Sequence, residues 1–143
     1  MKTTRIDEQA VVPMIAYEDG VAAMEWLARA FGFTERTRWL GDDGSLAHGE
    51  MVAGEGLIML ATPSTAYEAP RRHRAHCAQA EQWSRTPYVV DGVLVYVDDV
   101  DAHAEQARAA GAVILSEPED SGVGKLYRTE DVEGHRWMFM QRR

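Results

Sequence analysis

The stretch that decides the fold is IAYEDGVAAMEWLARAFG, residues 15–32, because it returns as LVYVDDVDAHAEQARAAG at residues 94–111. At a constant offset of 79, eight of the eighteen positions are identical: Tyr17/Tyr96, Asp19/Asp98, Val21/Val100, Ala23/Ala102, Ala28/Ala107, Arg29/Arg108, Ala30/Ala109 and Gly32/Gly111. Each copy runs from a short apolar segment through an acidic turn into an amphipathic stretch that stops at Gly. That order predicts a strand, a helix N-cap, a helix and a glycine C-cap. An internal repeat of this length makes the chain two copies of one β-α unit, each with its own continuation.

The continuations read alike. In the first copy, residues 10–17 form a strand with a Pro near its start. Residues 33–40 and 45–53 flank Gly41-Asp42-Asp43-Gly44 as a hairpin, and LIMLA at 57–61 is a short buried strand. In the second, the strands fall at 92–97, 112–115, 123–130 and Arg136–Gln141, with a helix over 99–110 capped by Asp98 or Asp99. The expected fold class is therefore α+β, from tandem βαβββ modules in one domain over 1–143. Module one covers 9–62 and module two 92–143. The connecting segment, 63–91, holds Pro63, Pro70 and Pro87 and predicts a helix over about 71–83. A connection this long reads as a functional cover or as a cap over an exposed sheet edge.

Composition narrows the function. The chain has 143 residues, a net charge of −8 and one cysteine, Cys77. The charge disfavours nucleic acid, which needs a basic face for counterion release. It leaves room for a cationic ligand. No run approaches the roughly 18 apolar residues of a membrane span, and the polar start MKTTRIDEQ does not read as a secretory signal. A single cysteine forms no intrachain disulfide, which fits a reducing cytoplasm. The basic cluster RRHRAH at 71–76 reads as a solvated helix face.

Three segments, VPMIAYEDGVAAMEWLARAFGF, GVLVYVDDVDAHAEQARAAGA and YRTEDVEGHRWMFMQ, resemble the vicinal oxygen chelate superfamily. Its members include glyoxalase I, extradiol dioxygenases and the fosfomycin and bleomycin resistance proteins. The last segment is similar to the family's R-D-P-E-G-x-x-W ending, with Val132 where Pro is common. The resemblance implies a curved, open sheet around a cavity. In metal-using members it implies ligands in the first and last strand of each module, near Val12, Met59, Gly92 and Met138 here. Those side chains carry no carboxylate or imidazole, and a thioether is a soft ligand unsuited to hard divalent ions. The resemblance thus points to the metal-free bleomycin resistance branch, whose members are homodimers that sequester a cationic drug in aromatic-lined grooves. No cofactor is expected.

His48 and Glu50 lie two apart on a predicted strand and share a face. They read as an acid/base pair, as half of a displaced metal site, or as a solvated outer face. Tyr127, with Thr129, is placed at a similar strand position in module two. Trp39, Trp83 and Trp137 are candidates for a flat ligand wall, with core packing the plain alternative for Trp137. The expected ligand set is Trp39, His48, Glu50, Trp83, Tyr127 and Trp137, with His48 and Glu50 as the catalytic candidates. His73 and His76 stand among arginines that repel a cation, and His103 and His135 read as exposed. Tyr17 and Tyr96 read as symmetry mates packed under their own helices. The leading expectation is a metal-independent homodimer that binds a cationic or aromatic small molecule. The second is a glyoxalase-like lyase or isomerase acting through His48 and Glu50. The third is a bland dimeric module with its cavity filled by Trp and Met.

Overall fold

The computed structural model describes residues 8–143, so most of the polar start, residues 1–7, lies outside the described residues. The order of elements in module one is β1 (Met14–Ala16), α1 (Gly20–Phe31), β2 (Thr34–Leu40), β3 (Leu46–Ala53) and β4 (Gly56–Ala61). Two short helices follow, α2 (Pro70–Arg74) and α3 (Ala78–Ser84). Module two is β5 (Gly92–Tyr96), α4 (Val100–Ala109), β6 (Val113–Asp120), β7 (Gly124–Glu130) and β8 (Arg136–Arg142). The result is α+β, with two four-stranded mixed sheets ordered β1-β4-β3-β2 and β5-β8-β7-β6. In each, the first strand runs parallel to the last and the remaining pairs are antiparallel.

Local chemistry sets the helix ends. Asp19 caps α1 by accepting from the Ala22 amide at 3.0 Å, and Asp99 caps α4 by accepting from Ala102 at 3.1 Å. Gly32 closes α1 at φ +74°, a left-handed conformation costly for other residues. These marks break the even offset of the repeat. The caps Asp19 and Asp99 are 80 apart, whereas Gly32 and Gly111 are 79 apart, so the second unit is one residue shorter across its helix. The strands follow the caps: Tyr17 donates its amide to Ala61 and Val97 donates its amide to Met140, each at 2.9 Å. A shift of one reverses the face of a strand residue. Tyr17 is accordingly buried, while Tyr96 is exposed beneath the Arg142 guanidinium, 3.6 Å from its ring centre. They are not symmetry mates.

The helices cover one face of each sheet and meet each other, so the core is shared by both modules. Phe31 of α1 packs edge-on against Phe139 of β8, 4.8 Å between ring centres, and Trp26 donates its indole N–H to the Ala110 carbonyl at 2.9 Å. Gly20 shows how close this packing is. A Cβ there would lie 2.7 Å from Leu46 Cβ and 3.0 Å from Thr62 Oγ1. Alanine normally favours a helix over glycine. We expect Gly20→Ala to reverse that sign and lose about 1–3 kcal/mol through overpacking, measured as a lower urea midpoint.

Two lengths differ from the sequence reading. β1 is three residues long, not eight, because Pro13 has no N–H to donate and only 14–16 pair with β4. β6 runs on to Asp120, past Pro118, because register shifts between Ile114 and Glu119 absorb the proline on the sheet's edge. The connecting segment forms two short helices rather than one.

Candidate functional site

The faces of the sheets opposite the helices are open. On module one, β2 and β3 pair Trp39 with His48 and Thr37 with Glu50; Glu50 pairs with Met59 on β4, and Met59 with Met14 on β1. A register shift next to Trp39 lets Leu46 point into the core while His48 and Glu50 point outward. His48 Nε2 lies 2.8 Å from Glu50 Oε2, within hydrogen-bond reach, and the Trp39 ring centre is 5.1 Å from the imidazole. Arg36 Nε approaches the other oxygen of Glu50 at 3.7 Å. Beside the pair is a hollow of about 190 Å³ lined by Met14, Ala16, His48, Met59, Ala61 and Pro63. Met14 is 81% exposed and Trp39 63%. An imidazole joined to a carboxylate can hold or move a proton, and the adjoining Trp and Met surface offers a flat apolar wall.

The structure brings Trp39, His48 and Glu50 together and leaves the other candidates elsewhere. Tyr127 is buried in the core, where its hydroxyl meets His103 Nδ1 at 2.6 Å. Counting along the ladders, Glu50 opposes Met59 as Arg128, not Tyr127 or Thr129, opposes Met138. Trp137 is buried and donates its indole N–H to Asp131 Oδ2 at 3.0 Å. Trp83 on α3 lines a separate cavity of about 360 Å³ with Pro70, His73 and Val90. His103 is half-buried rather than exposed. Its Nε2–H donates to the Phe31 carbonyl at 2.9 Å, its Nδ1 accepts from the Tyr127 hydroxyl, and burial lowers its pKa. It ties α4 to module one as a neutral ring. His135 likewise reaches back, donating to the Ala16 carbonyl at 2.7 Å while its ring meets Tyr17 edge-on.

The D-x-E-G-x-x-W segment is a clamp between modules. Asp131 Oδ1 accepts from the amides of Glu133 and His135, both at 3.0 Å. Its Oδ2 accepts from the Tyr17 hydroxyl at 2.6 Å and from Trp137. Burial and the nearby Asp131 carboxylate hold the Tyr17 hydroxyl well above the ordinary tyrosine range. Glu133 reaches module one as well, accepting from the amides of Glu18 at 2.6 Å and Asp19 at 2.9 Å.

The RRHRAH cluster is exposed at Arg72, His73 and His76, as a solvated helix face would be, but it is also an anchor. Arg74 meets the buried Glu130 fork to fork, at 2.6 and 2.8 Å, and Arg136 adds contacts of 2.9 and 3.1 Å to the same carboxylate. Arg71 donates to the carbonyls of Asp131 and Val132, and Arg72 pairs with Glu18. The segment between the modules is thereby pinned across the clamp. No charge pattern in the sequence distinguishes these arginines from a wet helix face, because their partners lie 54 to 61 residues away.

The strand positions singled out above as those where metal ligands were implied are apolar. The register sets Met14 against Met59 and Leu94 against Met138; Leu94 shares a face with Gly92, and Val12 lies outside β1. Two thioethers and alkyl groups do not fit a hard divalent ion, and His48 and Glu50 already engage each other. Among the described residues no group of three or more His, Cys, Asp or Glu could hold a metal ion.

The sequence model of the Glyoxalase/Bleomycin resistance protein/Dioxygenase superfamily matches residues 9–139. The chain belongs to this superfamily. It is similar to an uncharacterized protein of Mycobacterium bovis, 27% identical over 135 residues, covering 94% of this chain and 84% of that protein. The solved structure of TioX from Micromonospora sp. ML1 is 30% identical and covers 93% of this chain and 95% of that one, with a TM-score of 0.68. TnmS3, an antibiotic binding protein from Streptomyces sp. CB03234, shares the fold at 16% identity, covering 95% and 98% of the two chains, with a TM-score of 0.61. Among the described residues no helix is long and apolar enough to cross a membrane.

Proposed function

We propose that this superfamily member is a cytoplasmic, homodimeric small-molecule-binding protein that sequesters a cationic or aromatic ligand without a metal. The functional unit is 1–143, with module one at 9–62, the connecting segment at 63–91 and module two at 92–143. The observation that carries this reading is the open face of module one, where an exposed Trp39 and Met14 adjoin the His48–Glu50 pair. Exposed large apolar side chains gathered at one place mark binding surfaces. An antibiotic-binding relative with this fold supports a small-molecule ligand.

The homodimer is supported by edges. β1 and β5 end their sheets, and a cleft of about 470 Å³ between them is lined by Val11, Pro13, Leu94 and Tyr96, among others. An uncovered strand edge with apolar side chains pairs readily with another chain. A second copy would turn each open face into one wall of a groove. The alternative reading, a glyoxalase-like lyase or isomerase, is favoured by the 2.8 Å His48–Glu50 contact alone.

The test is a titration of the purified protein with proflavine, a flat cation, followed by tryptophan fluorescence and calorimetry. We expect saturable binding at one site per copy, with Trp39→Ala and Glu50→Gln each weakening it about tenfold, or roughly 1.4 kcal/mol. Light scattering should give twice the chain mass. Binding untouched by both substitutions would remove this face from the site. Turnover abolished by His48→Gln while proflavine still binds would favour the enzyme.

A further inference from the structure

The open face of module two carries a feature that module one lacks. Arg128 sits on β7 at the position matching Glu50, so the two faces present opposite charges at equivalent points. In a chain of net charge −8, this guanidinium has no carboxylate and no hydrogen-bond partner among the described residues. Its Nε is buried and unpartnered. Ser116, its cross-strand partner on β6, has a hydroxyl that is also buried and unpartnered. Buried polar atoms left without partners are uncommon and costly, and Arg128 carries one of them at the rim of a hollow. The aromatic neighbour is Tyr88, 72% exposed, whose ring centre lies 5.9 Å from the Arg128 guanidinium carbon. Arg128 and Tyr88 line a hollow of about 180 Å³ with Val90, Leu94 and Met138.

Resting on the ligand-binding reading above, we propose that this face is a second recognition wall. It takes the anionic group of a flat aromatic compound, a carboxylate or a phosphate, on the Arg128 guanidinium, with the ring against Tyr88. A planar guanidinium fork matches either oxyanion through paired N–H···O bonds. Leu94, Met138 and Val90 supply an apolar floor that an inorganic anion would not use. The ligand class that suits both faces is an aromatic compound bearing both a cationic and an anionic group.

The test compares three probes of one shape: 2-naphthoate, 2-naphthyl phosphate and neutral 2-naphthamide. We expect one or both anions to bind the wild-type protein at least tenfold more tightly than the amide. The better of the two identifies the oxyanion. Arg128→Met should erase that preference and Arg128→Lys should reduce it, because lysine keeps the charge but loses the fork. The urea midpoint of Arg128→Met should not fall, since the substitution removes an unpaired buried donor; a merely structural arginine would cost stability. Equal binding of all three probes, no binding of any, or a preference that survives Arg128→Met would overturn the proposal. Proflavine separates the two readings. If proflavine binds in a Trp39-dependent way and the anions do not, the anion wall fails while the binding function stands. If proflavine fails and the anions bind through Arg128, the reading of module one's face fails instead.

Discussion

Asp131→Ala should be the most damaging single change in this protein, with an expected loss of about 3–5 kcal/mol in urea unfolding. The carboxylate is fully buried and accepts four hydrogen bonds, from the Tyr17 hydroxyl, the Trp137 indole and the Glu133 and His135 amides. Alanine leaves all four donors without a partner in a site that excludes water. Native stability amounts to only ~0.05–0.15 kcal/mol per residue, so this loss is a large share of the whole. At this chain length it corresponds to a fall of about 10–17 °C in Tm. Two controls separate the contributions. Asp131→Asn keeps the turn around Oδ1 but puts an amide nitrogen where Oδ2 accepts from both Tyr17 and Trp137, so it should cost less than alanine and more than Tyr17→Phe. Tyr17→Phe removes only the bond from Asp131 to module one, at about 1 kcal/mol. If Asp131→Ala unfolds with the wild-type midpoint, the clamp does not hold the modules together.

Glu130→Gln ranks second and carries a pH signature. The Glu130 side chain is 1% exposed and lies between Arg74 and Arg136, the latter nearly as buried. Burial pushes its carboxyl upward, but the hydrogen bonds and charges of Arg74 and then Arg136 outweigh it and hold the group below the ordinary glutamate value. Removing the anion strands the Arg136 guanidinium in the interior, which costs about 3–5 kcal/mol at neutral pH. A carboxyl whose folded value is depressed adds stability above its unfolded value, near 4.3. That stability is lost as pH falls through the folded value. The gap between wild type and Glu130→Gln should therefore be constant from pH 7 to about 5 and close progressively below about 4.3. Because Arg74 belongs to α2, Glu130→Gln should also speed proteolysis within residues 62–91. A gap that stays constant down to pH 3 would show that Glu130 is not the ionised anchor of that segment.

The tandem βαβββ order was legible in the sequence because it rests on local signals. Period-2 and period-3.6 apolar patterns, Asp caps and Gly stops act within a few residues, and Asp19, Asp99 and Gly32 do in the structure what their types imply. The pairing of His48 with Glu50 was equally legible, since two residues two apart on an unbroken stretch of strand share a face whatever the strand packs against. The sequence alone did not determine which face that is. The register shift beside Trp39 turns His48 outward, and the Met59–Met138 equivalence places Arg128, not Tyr127, opposite the matching strand. Nor did it separate Tyr17 from Tyr96, because a one-residue difference across the second helix reverses the face while the residue identities still align at 79. The partners of Asp131, Glu130 and Arg74 were invisible for a related reason. Local composition sets whether a residue is polar, but only the folded chain brings a carboxylate and a guanidinium 56 residues apart to 2.6 Å and removes water from around them. Patterning within each module was thus enough to specify the elements; the register of the strands and the docking of one module on the other decided which side chains became core, clamp or open site.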